Sequence, residues 1–140
     1  MPSSPSVPGP GGDRPLTILI VDDVAETRGM YGRYFEYVGA GVLSAPDGAQ
    51  ALSMIDREQP DAVLLDLSMP KMTGIEVLQV LRKHSRTRTL PVVAITGHVQ
   101  AGVQDATLEA GADIFLTKPC LPHVAFRLIL QLVRDRKHAD

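Results

Sequence analysis

Two short apolar runs of this chain end abruptly in carboxylates. The run AVLL at 62–65 ends in Asp66, and the run LTILIV at 16–21 ends in Asp22 and Asp23. Runs of this length are typical of strands buried on both faces, as in parallel α/β sheets. Ligands of such sheets bind at the carboxyl ends of the strands. Asp66 is therefore placed where chemistry occurs, although a lone Asp at a strand end is more often a turn residue or a helix cap.

Two further apolar runs end in polar residues of other types. The run PVVAI at 91–95 precedes Thr96, and IFL at 114–116 is followed by Thr117 and Lys118. In a doubly wound sheet of order 2-1-3-4-5, the first, third, fourth and fifth strands lie side by side. Their ends would gather three carboxylates, a hydroxyl and an ammonium in one pocket.

Each of these groups has a chemical use in such a pocket. Clustered carboxylates repel one another and raise each other's pKa, and a hard divalent cation such as Mg²⁺ relieves that repulsion through oxygen ligands. Asp66, at the centre, can then attack phosphorus and form an aspartyl phosphate. Phosphoryl transfer needs mainly positioning and charge neutralisation, which Lys118 and a hydrogen bond from Thr96 would supply.

The elements that must position these groups alternate along the chain as strand and helix, five times over. This pattern predicts an α/β fold of flavodoxin-like (βα)5 type, a five-stranded parallel sheet covered by helices on both faces, with right-handed crossovers. Asp47 is the predicted N-cap of the helix after the second strand. One later helix is predicted to carry Val99, Val103, Ala106 and Leu108 and to stop at Gly111, and the last, at 122–137, to carry Val124, Ala125, Leu128 and Leu132 on one face.

Composition fits one globular domain. The chain has 140 residues, 44% of them hydrophobic, and its net charge of −2 gives no support for nucleic-acid or membrane binding. No apolar run approaches the roughly 18 residues of a membrane span. A single cysteine, Cys120, suits a reducing compartment, so we expect a cytoplasmic protein. Residues 1–15, with five Pro, three Gly and three Ser, predict a disordered tail or linker before a domain at 16–137.

With these residues placed, the chain resembles the response-regulator receiver domains of two-component signalling, the chemotaxis-regulator type. The resemblance covers residues 16–137. The motifs that carry it are Asp22-Asp23 after the first strand, the segment DLSMPKMTG at 66–74, Thr96-Gly97, and Lys118-Pro119 with Phe115 three residues before the lysine.

The resemblance implies a function and a role for each motif residue. Asp66 would accept a phosphoryl group from a histidine kinase or a histidine phosphotransfer protein. Mg²⁺ would be held by the side chains of Asp23 and Asp66, by the backbone carbonyl of Ser68, and by Asp22 mainly through water. Lys118 would pair with the phosphoryl group, and its bond to Pro119 would be cis.

The resemblance also implies an output that depends on conformation. Thr96 would swing toward the phosphoryl group and Phe115 would turn inward behind it. This movement would switch the surface formed by helix four, strand five and helix five, where a downstream protein partner would bind. The chain would act as a signalling module and not as an enzyme, apart from its own phosphorylation and autodephosphorylation.

Ser68 and His98 occupy positions that vary in this family, two residues after Asp66 and two after Thr96. Both are expected to flank the path of a water that attacks the aspartyl phosphate. We hypothesise that they tune the lifetime of the phosphorylated state. The alternative for His98 is a solvated loop residue.

The residues leave two other functions to consider. A phosphatase of the haloacid-dehalogenase type also uses a nucleophilic Asp, Mg²⁺ and a lysine, but it needs a second Asp where this chain has Ser68. A flavin-binding carrier of the same fold needs a phosphate loop in place of Asp22-Asp23. Because no output domain follows residue 140, the sequence is expected to be either a stand-alone receiver or a receiver from a hybrid sensor kinase.

Overall fold

A computed structural model describes residues 6–138 as strands and helices in strict alternation. The strands are β1 (Thr17–Val21), β2 (Gly41–Ala45), β3 (Ala62–Asp66), β4 (Val92–Thr96) and β5 (Ile114–Thr117). The helices are α1 (Ala25–Tyr37), α2 (Gly48–Glu58), α3 (Gly74–Lys83), α4 (Val103–Ala110) and α5 (Pro122–His138).

The strands form one parallel sheet in the order β2-β1-β3-β4-β5, which confirms the predicted α/β architecture. Successive side chains of a strand point to opposite faces. In β1, Leu19 and Val21 pack toward α2, α3 and α4, whereas Ile18 and Ile20 pack toward α1 and α5. Because helices bury both faces of β1, β3 and β4, these central strands appear in the sequence as continuous apolar runs.

The fourth helix begins later than predicted. Gly102 precedes it with φ of 84°, and Val99 lies outside the helix with 57% of its surface exposed. Leu108 is 41% exposed, so the predicted apolar stripe is wrong. The side chain that α4 buries completely is Thr107. Its hydroxyl donates to the carbonyl of Val103, and this bond allows a polar residue on the core face.

The apolar face of α5 is rotated from the predicted one. Phe126 is buried and packs on Phe35 of α1, with ring centroids 5.7 Å apart. Aromatic side chains bury a large area, and this contact accompanies a face that includes Phe126. The buried residues in the described part of α5 are Ala125, Phe126, Ile129 and Val133. Of the predicted face, Ala125 is confirmed, whereas Val124, Leu128 and Leu132 are only partly buried.

The described part of the amino-terminal segment, residues 6–15, contacts the amino-terminal edge of the sheet. The backbone N–H of Val7 donates to Gly39, and that of Leu16 donates to Val7. Arg14 pairs with Asp61 at 2.9 Å. Residues 1–5 lie outside the described part. That the segment is a disordered tail or linker, and that the domain begins at residue 16, stay predictions.

Among the helices of residues 6–138, none combines the length and the apolar character that crossing a bilayer requires.

Candidate functional site

Register of the strands brings the polar strand ends together. Val21 pairs with Leu65, so Asp22 stands beside Asp66 one residue further on. Asp66 in turn pairs with Ile95, which places Thr96 one step beyond it on the neighbouring strand. Thr96 pairs with Thr117, and Lys118 is the next residue. The predicted residues of β1, β3, β4 and β5 therefore meet at one edge of the sheet.

Three of these residues form a carboxylate cluster. One carboxylate oxygen from each of Asp22, Asp23 and Asp66 lies within 4.8 Å of the others. Asp22 and Asp66 are 2% and 3% exposed, whereas Asp23 faces solvent. Such oxygens are the ligands that Mg²⁺ prefers. The cluster is thus a buried anionic site with one open side.

Lys118 provides the positive charge of the site. Its Nζ donates to Asp22 Oδ2 at 3.0 Å and lies 3.7 Å from Asp66 Oδ2. Burial alone would lower the pKa of Lys118, but the hydrogen bond to Asp22 and the charges of Asp66, Asp22 and Asp23 raise it above its ordinary value. The lysine therefore stays an ammonium at neutral pH. The bond between Lys118 and Pro119 is cis, as the resemblance implied.

The carboxyl group of Asp66 titrates above its ordinary range. Burial is the main cause of its raised pKa, and repulsion from Asp22 and Asp23 adds to it. The backbone N–H of Ser68 and the charge of Lys118 act in the opposite direction. A carboxylate in this setting gains from any additional cation, because the cation offsets both the burial and the repulsion.

The charge balance of the cluster fits a divalent cation. Three carboxylates and one ammonium leave two negative charges without a partner at this edge of the sheet. Within the described residues, no second lysine or arginine side chain pairs with these carboxylates. The nearby Arg28 donates to the backbone carbonyl of Asp22 instead. The donor set is all oxygen, which suits Mg²⁺ better than a soft metal.

The loop after Asp66 is held close to the strand by local contacts. The backbone N–H of Ser68 donates to Asp66 Oδ1 at 3.1 Å. Gly74 opens α3 directly above the loop, where a Cβ atom would lie 2.7 Å from the carbonyl oxygen of Asp66. Thr73 and Glu76 form a capping box at the same helix end. A side chain at position 74 would therefore clash with the backbone of the loop.

Thr96 ends β4, and Phe115 lies on the neighbouring strand β5. The Thr96 side chain is buried, and its Oγ1 lies 3.0 Å from Ser68 Oγ. The backbone N–H of His98 donates to the same Oγ1 at 3.1 Å. The imidazole of His98 is on the exposed surface. Phe115 is half-buried and packs against the core on the α2–α4 face.

Two residues that support the site were absent from the sequence prediction. Arg28 donates from Nη1 to the carbonyl of Asp22 at 2.7 Å, which ties α1 to the end of β1. Tyr31 donates to the carbonyl of Cys120 at 2.8 Å, which ties α1 to the loop after Lys118. Burial raises the pKa of Tyr31 to about 12, so it remains a donor. The sequence shows these residues only as members of a helix, and no spacing rule reveals their partners.

A family model and related proteins both identify the family of this chain. Residues 18–129 match the model of the response regulator receiver domain. The chain is 36% identical over 116 residues to an uncharacterised 14.6 kDa protein in the sodA1 3′ region of Leptolyngbya boryana, covering 83% of this chain and 88% of that protein. It is 37% identical over 125 residues to response regulator MprA of Mycobacterium leprae, covering 89% of this chain and 54% of that protein.

A solved structure shows the same fold. The signal receiver domain of a signal transduction histidine kinase from Syntrophus aciditrophicus matches with a TM-score of 0.79 and 28% identity, covering 85% of this chain and 90% of that one. The chain spans about half the length of several curated relatives that it matches, MprA among them.

Proposed function

The chain belongs to the response regulator receiver domain family of two-component signalling, and from that premise we propose that Asp66 is its phosphoacceptor. The phosphoryl donor would be a phosphohistidine on a histidine kinase or a histidine phosphotransfer protein. The observation that carries the proposal is a buried Asp66 carboxylate at a strand end, grouped with Asp22, Asp23 and Lys118.

The two oxygens of Asp66 have different surroundings. Oδ1 accepts the N–H of Ser68, and Oδ2 lies toward Lys118. Oδ2 is therefore the oxygen we assign to attack on phosphorus. The new P–O bond forms as the P–N bond to the donor histidine breaks, and the imidazole leaves with the bonding electron pair. The backbone of Ser68 keeps the carboxylate in one orientation while this happens.

The surrounding side chains act on charge and orientation. Asp23 and Asp66 would hold Mg²⁺ through their side chains, Ser68 through its backbone carbonyl, and Asp22 mainly through water. The ion would supply charge neutralisation for the phosphoryl oxygens. Lys118 would move from Asp22 toward the phosphoryl group, a shift that its flexible stem allows.

In this proposal, Thr96 and Phe115 transmit the phosphorylation of Asp66 to the protein surface. Thr96 would donate its hydroxyl to a phosphoryl oxygen, and Phe115 would move further into the core on that side. Both changes alter the surface of α4, β5 and α5, which we propose as the site of a downstream protein partner. The phosphoryl group biases an equilibrium between two conformations of this surface.

Ser68 and His98 belong to the same proposal as residues that set the lifetime of the phosphorylated state. Ser68 carries its hydroxyl next to Thr96 on the exposed side of the acceptor. His98 presents its imidazole to solvent at the neighbouring strand end. Their exposure beside these strand ends supports a place for both on the path of the attacking water.

The biological setting is proposed on the family alone. We expect a cytoplasmic protein without direct contact to nucleic acid or membrane. It would work either alone or as the receiver of a longer chain such as a hybrid sensor kinase. We also expect no steady turnover of small phosphate esters, because the position of a general acid two residues after Asp66 is Ser68.

Incubation with acetyl phosphate and Mg²⁺ tests the proposal directly. The intact mass should rise by one phosphoryl group in wild type, and this gain should disappear in Asp66→Asn and on chelation of Mg²⁺. Asp56→Asn, a change at an exposed carboxylate of α2, is the matched control and should be phosphorylated normally. An unchanged mass gain in Asp66→Asn would refute the assignment of the acceptor.

A further inference from the structure

The hydroxyl groups of Ser68 and Thr96 form a direct contact between two neighbouring strand ends. Their oxygen atoms are 3.0 Å apart, which is hydrogen-bond distance, and they come from positions 28 residues apart in sequence. Ser68 is also bonded to Asp66 through its backbone N–H, and Thr96 to His98. A continuous polar chain therefore runs from the Asp66 carboxylate to the loop before α4.

The hydroxyl of Thr96 has a limited bonding capacity. It offers one proton and two lone pairs, and one lone pair accepts the N–H of His98. Thr96 is 1% exposed, so water has little access to the remaining positions. Ser68 therefore satisfies the buried hydroxyl, and the two groups hold each other whichever of them is the donor.

The side chain of Ser68 is less constrained than that of Thr96. It is exposed, so its own hydroxyl can exchange Thr96 for water at little cost. Its backbone is fixed by the bond to Asp66, whereas its short side chain can rotate about one torsion.

We propose that Ser68 is a positioning residue that holds the Thr96 hydroxyl in the resting state and must release it when Thr96 meets a phosphoryl oxygen. The inference rests on the proposed function of Asp66. Ser68 competes with the phosphoryl group for the same hydroxyl. The Ser68–Thr96 bond therefore sets part of the free-energy difference between the resting and the switched conformation.

Beryllofluoride with Mg²⁺, an anion that mimics a phosphoryl group on a carboxylate, gives a binding measurement without turnover. Loss of one neutral hydrogen bond of ordinary net strength corresponds to a change of about two- to tenfold in an equilibrium constant. Ser68→Ala should therefore bind beryllofluoride about two- to tenfold more tightly than wild type. Ser68→Thr keeps a hydroxyl and should return the affinity to the wild-type value.

A double-mutant cycle separates this mechanism from a direct contact between Ser68 and the anion. In a Thr96→Val background the competition is absent, so Ser68→Ala should then leave the affinity unchanged. An equal gain in both backgrounds, no gain in either, or weaker binding by Ser68→Ala would overturn the proposal.

The unliganded protein gives a second readout. In NMR spectra without Mg²⁺ or beryllofluoride, the amide signals of His98 and Thr96 in Ser68→Ala should move toward their positions in the loaded wild type. Signals that stay at the wild-type resting positions would contradict the inference. If wild type binds no beryllofluoride, or if Asp66→Asn binds it equally well, the proposed function itself fails. If wild type binds beryllofluoride and Ser68→Ala leaves the affinity unchanged, only the inference about Ser68 fails, and the proposed function stands.

Discussion

Lys118 donates its hydrogen bond to Asp22 Oδ2 at 3.0 Å, and the nearest oxygen of Asp66 is further away at 3.7 Å. The lysine after β5 thus pairs with the carboxylate after β1, across β4 and across β3, which carries the proposed acceptor. In this arrangement the single ammonium group of Lys118 forms ion pairs with two buried carboxylates. Its transfer from Asp22 toward a phosphoryl group is part of the proposed reaction.

Replacement of Lys118 tests that role. Lys118→Met removes the charge that would stabilise the phosphoryl oxygens, so the rate of Asp66 phosphorylation by acetyl phosphate should fall about 100-fold. The rate is measured by intact mass against time. Lys83→Met, at the exposed end of α3, is the matched control and should react at the wild-type rate. A Lys118→Met protein that reacts as fast as wild type would exclude the lysine from the transfer.

The raised pKa of Asp66 predicts a pH-dependent stability difference between wild type and Asp66→Asn. The unfolded chain releases this proton at the ordinary value of 3.8, and the folded chain only at a higher pH, mainly because the carboxyl is buried. The contribution of Asp66 to stability is therefore fully present below pH 3.8 and is lost as pH rises through its raised pKa. Asp66→Asn avoids this loss.

Urea unfolding in EDTA at several pH values measures the difference. The stability of Asp66→Asn relative to wild type should grow with pH above the ordinary Asp range and then level off. Asp56→Asn, whose side chain is 78% exposed, should show no such growth. A difference for Asp66→Asn that is constant with pH would contradict the raised pKa.

Asp23 is the exposed member of the carboxylate cluster and is predicted to control affinity for Mg²⁺. Above its dissociation constant, Mg²⁺ should raise the free energy of unfolding of wild type by about 1.4 kcal/mol per tenfold increase in concentration. Asp23→Asn should shift this rise to about tenfold or higher Mg²⁺ concentrations. Glu26→Gln changes a nearby acidic residue in the first turn of α1 and should leave the rise unshifted. Equal shifts in Asp23→Asn and Glu26→Gln would mean that the Mg²⁺ dependence reflects the net charge of this region and not a ligand role of Asp23.

Asp61 joins the amino-terminal segment to the sheet. Its carboxylate accepts the backbone N–H of Thr17 at 2.8 Å and both terminal nitrogens of Arg14, and its side chain is 6% exposed. Asp61→Ala should lower the free energy of unfolding by about 2 kcal/mol, because a part-buried N–H loses a charged acceptor. Arg14→Ala should cost less than about 1 kcal/mol, since that side chain is 55% exposed.

Urea unfolding provides the measurement for both variants, with Asp56→Ala as the control. Asp56 pairs with Arg86 in a solvent-exposed ion pair, so its loss should cost close to nothing. Equal costs for Asp61→Ala and Asp56→Ala would mean that the bond to Thr17 contributes little.

The lifetime of the phosphorylated protein should respond to Ser68 and His98. After phosphorylation with labelled acetyl phosphate and removal of the donor, loss of label is followed for wild type, Ser68→Ala and His98→Ala. At least one variant should differ from wild type, by about two- to tenfold for the change of a single hydrogen bond. Identical rates in all three proteins would show that neither side chain influences the attacking water.

Much of the fold could be predicted because burial leaves a direct mark on sequence. The run AVLL before Asp66 is continuous since helices cover both faces of β3, and Asp47 caps α2 through a contact only three residues away. Parallel register then brings Asp22, Thr96 and Lys118 to one edge whatever the details of packing. The identity and neighbourhood of the candidate site were therefore accessible from residue order alone.

Other features required the tertiary structure. Helix α5 buries Phe126 against Phe35 of α1, and α4 buries Thr107, whose hydroxyl donates to the carbonyl of Val103. Neither contact has a signature in local periodicity, since the first joins distant helices and the second hides a hydroxyl inside its own helix.

The sequence by itself determined which groups meet at the carboxyl edge of the sheet, because strand order and chain direction suffice for that. Only the tertiary structure decided how they are paired. Lys118 rests on Asp22, and Ser68 holds the hydroxyl of Thr96. These pairings depend on side-chain distances of a few ångströms between residues far apart in the chain, and such distances are set by packing and not by the order of the residues.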